Sequence, residues 1–113
     1  MKSREEVILE NLIHNEEYAR KVIPFLIEEY FSDNTEKRVF KHIKTFIEKY
    51  NTTPTQEALG IIVDNDDKLS SDDYESCTTY VENLNGSENV DMSWLMDETE
   101  DFCKYRAIFN AMR

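Results

Sequence analysis

Glycine and proline are scarce, at two residues each in a chain of 113. A β-sandwich needs many turns, so this scarcity disfavours one and favours helices joined by short polar loops. It also excludes a Walker A loop and a dinucleotide fingerprint, both built on glycines that are not here. Two cysteines, Cys77 and Cys103, fall on different predicted helices. They cannot define a disulfide scaffold, and buried thiols are expected. No apolar run approaches the roughly 20 residues that a membrane span requires. The opening MKSREEVILENLI has acids and an amphipathic period where a signal peptide would need an unbroken apolar stretch. The cytoplasm is the expected location.

Large apolar side chains are plentiful. Hydrophobic residues make up 40% of the chain, including six Phe, six Tyr and Trp94. One domain of this size should bury roughly two-thirds of the surface of its extended chain. The periodicity predicts a compact all-α domain of about six helices. The first runs from Glu5 to about Asn15 on Ile8, Leu9, Leu12 and Ile13. Asn15 then caps a second, bent at Pro24, with Tyr18, Val22 and Leu26, or Ile23 and Ile27, inward. Tyr30 and Phe31 plug the core edge before a turn at Ser32, Asp33 and Asn34. A third helix over 35–50 repeats Val39, Phe40, Ile43, Phe46, Ile47 and Tyr50 at helical spacing, with its lysines opposite. Thr53-Pro54-Thr55-Gln56 reads as a capping box on Thr53 for a fourth, with Ala58, Leu59, Ile62 and Val63 inward. Ser70 and Asp73 start a fifth with the stripe Tyr74, Cys77, Tyr80, Val81 and Leu84; NLNGSENVD is a loop. The last begins near Asp91 and carries apolar positions through Ile108, Phe109 and Met112 with no Gly, Asn or Pro stop signal, as expected of a domain cut from a longer chain.

Charge is uneven. The formal net charge is −11, yet residues 64–101 hold thirteen acids against Lys68 alone. Residues 34–50 instead carry a net +3, from Lys37, Arg38, Lys41, Lys44 and Lys49 against Glu36 and Glu48. Dense acid repels duplex phosphate, so tight nucleic-acid binding by this domain is not expected. The carboxylates serve either as solubilising surface or as a docking face for a basic protein.

No catalytic residue is assigned. His14, His42, Cys77 and Cys103 are isolated in sequence, with no pair at ligand spacing, so no metal site is expected. The run DNDD at 64–67 lacks the glycine and closing glutamate of a calcium loop. Pairs such as Asp97 with Asp101, or Glu98 with Asp101, are ordinary outcomes of an acid-rich helix. No cofactor is expected in this domain.

Several segments taken together resemble one family. They are VILENLIHNEEYARKVIPFL with EEYF at 28–31, VFKHIKTFIEKYNTTPTQEAL at 39–59, and SWLMDETEDFCKYRAIFNA at 93–111. Their order, and the wording of Trp94, Leu95, Thr99, Glu100, Arg106, Phe109 and Asn110, resemble the N-terminal domain of DnaB-like hexameric replicative DNA helicases of the T4-like bacteriophage branch. The resemblance implies that 1–113 is an assembly and recruitment domain, a collar on a motor ring lying in the cytoplasm of an infected bacterial host. It implies other helicase subunits, primase and a helicase loader as partners, with single-stranded DNA bound by the complete ring and little by this domain. ATP, Mg and 5′-to-3′ movement would belong to a C-terminal ATPase motor not found in this chain. The last helix would match the first arm of a helical hairpin.

Two sets of site residues follow. Phe102, Tyr105, Ile108, Phe109 and Met112 surround too much of the last helix for one core stripe, so Tyr105, Ile108, Phe109 and Met112 are the expected self-association residues. Trp94, Glu98, Asp101 and Tyr105 form the expected docking surface, an aromatic anchor among carboxylates. Trp94 alternatively anchors the helix into the head. Two other readings stand beside the collar: a stand-alone acidic adaptor or nucleic-acid mimic, and a nucleic-acid module using Lys37, Arg38, Lys41 and Lys44.

Overall fold

A computed structural model describes residues 2–86 and 89–112. Six helices follow in order: α1 (Arg4–His14), α2 (Glu16–Val22), α3 (Asn34–Tyr50), α4 (Gln56–Asp64), α5 (Ser71–Glu82) and α6 (Met92–Ala111), with a 3-10 turn at Glu28–Tyr30. The described residues are all-α, as the periodicity predicts. Met1, Arg113 and, within the predicted loop NLNGSENVD, Ser87 and Glu88 lie outside the described residues.

Side-chain caps set most helix starts. Ser3, Asn15, Asp33, Ser70 and Asp91 each accept an amide three residues ahead, from Glu6, Tyr18, Glu36, Asp73 and Trp94. The start of α4 departs from the predicted capping box. Thr55, rather than Thr53, accepts the Ala58 amide at 3.0 Å. Gln56 does not reach back; its amide donates to the carbonyls of Val81 at 2.8 Å and Glu82 at 3.1 Å. Starting α4 two residues later thus lets Gln56 bond the last carbonyls of α5, of which that of Val81 also accepts the Leu84 amide at 3.1 Å.

Pro24 ends a helix instead of bending one. It has no amide to donate back along the helix, so α2 stops at Val22 and Ile23–Phe25 turn away. Leu26 still reaches the core, whereas Phe25 and Ile27 are exposed. α3 ends at Asn51, whose φ of 56° is left-handed, a conformation that asparagine tolerates better than most residues.

One core gathers Ile8, Leu9 and Leu12 of α1, Tyr18 and Val22 of α2, Phe31, Val39, Phe40 and Ile43 around α3, then Leu59, Val63, Cys77, Val81, Leu95 and Phe102. Phe31 is fully buried and stacks on Phe40 at 4.9 Å, while Tyr30 is half-buried. Besides Ile27, two predicted inward residues are not inside. Tyr50 and Tyr74 are exposed, Tyr74 donating its hydroxyl to Asp64 at 2.6 Å.

A buried acid lies where α3 meets α5. Glu36 accepts the Tyr80 hydroxyl at 2.8 Å, and desolvation, with Glu5, Asp33 and Glu6 nearby, holds its carboxyl above the ordinary range against the lowering by that hydrogen bond. The folded state therefore keeps the proton longer than the unfolded chain, whose value is about 4.3. Stability contributed by Glu36 falls as pH rises from there through the raised folded value, then levels. Glu36→Gln keeps an acceptor for Tyr80 and removes the titration. Urea unfolding from acid to neutral pH should show the variant gaining on wild type as pH rises; parallel curves would contradict this account of Glu36.

Candidate interaction face on the last helix

α6 has two opposed faces, and the inward one is fixed to the head at several points. Leu95, Thr99 and Phe102 are buried. The Thr99 hydroxyl donates to the Leu95 carbonyl at 2.8 Å, so the Tyr18 hydroxyl, 2.6 Å away, donates to Thr99. Burial raises the Tyr18 phenol above its ordinary pKa and keeps it a donor. Phe102 lies against Phe31 at 5.3 Å and edge-on to Tyr30 at 6.4 Å, with the Arg4 guanidinium 5.4 Å from its ring centre. Further along, Arg106 Nε donates to the Tyr30 carbonyl at 2.8 Å, and Asn110 Nδ2 to the Glu29 carbonyl at 2.9 Å. These last two bonds fasten α6 to the 3-10 turn.

The outward face bears the predicted site residues. Trp94, Glu98, Asp101, Tyr105, Ile108 and Met112 follow at steps of four, three, four, three and four, which places them along one side of α6. Trp94 is 49% exposed, Tyr105 56%, Ile108 62% and Met112 81%. Leu95, not Trp94, anchors the start of the helix in the head, because the cap at Asp91 turns position 95 inward and leaves 94 outside. Phe109 is less open than its neighbours: its ring stacks on Tyr105 at 6.2 Å under the Arg106 guanidinium at 4.6 Å. Of the five residues predicted to crowd this helix, Phe102 belongs to the core.

The acidic pair is not equivalent. Glu98 faces Arg4 at 3.8 Å, tying α6 to α1, whereas Asp101 is exposed with no cationic side chain within 4.0 Å among the described residues. Of the two, Asp101 is the carboxylate without an ion pair among the described residues. Sequence reasoning missed a neighbouring feature. Val22, Phe25, Tyr30, Met96, Cys103 and Ala107 line an apolar cleft of about 480 Å³ between the end of α2 and α6. The signal was Pro24: a helix stopped there leaves Phe25 outside, whereas a helix merely bent there would not.

The four residues considered for a metal are scattered. His14 donates from Nε2 to the Leu84 carbonyl at 2.7 Å, its ring so close to Gly86 that a Cβ there would meet it at 2.5 Å. His42 pairs with Asp66. Burial pushes the Cys77 and Cys103 thiols up, away from the nucleophilic thiolate. Cys77 is buried and Cys103 half-buried, and both are free thiols. Among the described residues no group of three or more His, Cys, Asp or Glu is placed to hold a metal ion. No described helix is long and apolar enough to cross a membrane.

The described residues thus form a helical head with one long helix whose outer face is exposed. No family model matches the chain. Over 106 residues, 94% of its length, it is 36% identical to a DnaB-like replicative helicase of Enterobacteria phage T4, and it spans 22% of that protein's length. Identity of this extent marks common descent: the chain is homologous to part of a DnaB-like phage helicase.

Proposed function

We propose that residues 1–113 are the collar domain of a phage replicative helicase, supporting ring assembly and the docking of primase or a helicase loader. The observation that carries this reading is the outer face of α6, where Tyr105, Ile108 and Met112 are exposed at alternating steps of three and four. That spacing is the seam of helix-on-helix packing, which buries apolar side chains between two helices. Homology to a replicative helicase supplies the setting. The chain carries no phosphate-loop sequence, so nucleotide hydrolysis and movement on DNA belong to the motor of a parent protein.

Docking uses the other half of the same face, with Trp94 as anchor and Asp101 as the exposed carboxylate about two turns along it. Asp101→Asn should weaken binding of primase or loader several-fold and flatten its salt dependence, because an exposed charge acts through screened attraction. Calorimetry with each partner separately, at several salt concentrations, reads this directly. Unchanged affinity for both partners would end the docking half of the proposal. Assembly has its own test, argued below.

A further inference from the structure

A basic cleft lies between the N-terminal half of α3 and the loop after α4, and it shares no residue with α6. Lys37, Arg38, Lys41 and Lys68 converge on it around a volume of about 540 Å³. The loop is held in place by Asp66, which accepts the Lys68 amide at 3.0 Å on one oxygen and pairs with His42 at 2.9 Å on the other. These contacts bring Lys68, the lone base of the acidic 64–101 segment, to the lysines of α3.

Arg38 is paired with Asp73 at 3.7 Å. Among the described residues, no carboxylate lies within 4.0 Å of the ammonium groups of Lys37, Lys41 or Lys68. The lining also holds Glu28 and Asp66, so Lys37, Arg38, Lys41 and Lys68 leave an excess of positive charge there, in a chain with 24 acids against 13 bases. Lys44 does not join them. Its ammonium donates to the Leu26 carbonyl at 2.8 Å and lies over the Phe40 ring, so the set predicted from sequence loses Lys44 and gains Lys68.

We propose that this cleft binds a short acidic segment of a partner protein. A single-stranded nucleic acid fits less well. Its lining holds no Phe, Tyr or Trp to stack a base, and the His42 ring is tied to Asp66 at 2.9 Å. A continuing phosphate backbone would also meet the Asp73 carboxylate, which pairs with Arg38 at the cleft. Contact with a second copy of this chain is assigned above to the outer face of α6, which shares no residue with this cleft. A few clustered carboxylates place their charge inside the cleft and end there.

Fluorescence anisotropy at low salt, with a labelled hexapeptide of alternating Asp and Glu, tests this. Wild type should bind the peptide, and binding should weaken as salt rises. K37E/K41E should bind at least about tenfold more weakly, as expected when like charges face a charged ligand. K21E/K49E makes the same change in net charge elsewhere on the surface and should stay within about twofold. K37Q/K41Q, which adds no new acid, should fall in between, and circular dichroism melts check that each variant is folded. An oligothymidylate that binds more tightly than the peptide would replace this proposal with a nucleic-acid site. Equal losses in both charge-reversal variants, or no peptide binding by wild type, would overturn it.

Discussion

Replacing Phe102 with alanine is expected to destabilise the domain by about 3–5 kcal/mol, the usual range for removing a fully buried phenylalanine. Phe102 is 1% exposed and lies where α6, the 3-10 turn and the segment before α3 meet. Its neighbours belong to different elements, whose spacing is fixed by separate hydrogen bonds such as Arg106 to the Tyr30 carbonyl. The cavity therefore cannot collapse cheaply, and Arg4 loses the ring beneath it. Domains of this size have about 5–15 kcal/mol in total, so the variant should melt more than about 10 °C lower. Phe102→Leu, which refills most of the volume, should lose far less. A Phe102→Ala loss below about 1 kcal/mol would mean that α6 is not seated as described.

The opposite expectation holds roughly two to three turns further along. I108K/M112K should leave the melting temperature of the monomer nearly unchanged, since both side chains face solvent. Lysine near a helix C-terminus also favours the helix dipole, which separates any effect from a loss of helicity. Association is another matter. If Ile108 and Met112 pack against a second helix in the assembly, burying two ammonium groups there is costly, and self-association should weaken at least about tenfold. Sedimentation equilibrium over a concentration series reads this. A wild type that stays monomeric at the highest concentration, or a variant that associates as well as wild type, would remove the outer face of α6 from the assembly surface. A melting loss like that of Phe102→Ala would instead place these residues in the core.

Local chemistry explains which parts of the fold were legible in the sequence. Ser70 and Asp91 cap where they were expected because the interactions of a cap span three residues. The start of α4 was not decidable that way. Thr53 and Thr55 both offer a hydroxyl beside Pro54, and the choice rests with the α5 carbonyls that Gln56 meets, 25 residues away in sequence. α6 was legible as a helix, but its faces were only half so. Periodicity placed Ile108 and Met112 together without showing that Arg106 and Asn110 reach across to the 3-10 turn. The basic cleft was the least legible, because Lys68 sits in the most acidic part of the chain and arrives beside α3 only through folding.

The fastening of α6 has a mechanical consequence. Successive residues are turned about 100° around a helix axis, so a slip of one position would unseat Phe102 and break both the Arg106 and Asn110 bonds to the turn. The helix is keyed to the head, like a shaft with its angle fixed, rather than rolling on an apolar surface. Whatever grips Tyr105, Ile108 and Met112 therefore also sets the heading of α1 and α3. A twist applied along α6 turns the whole head with it, carrying the lysine cleft round by the same angle.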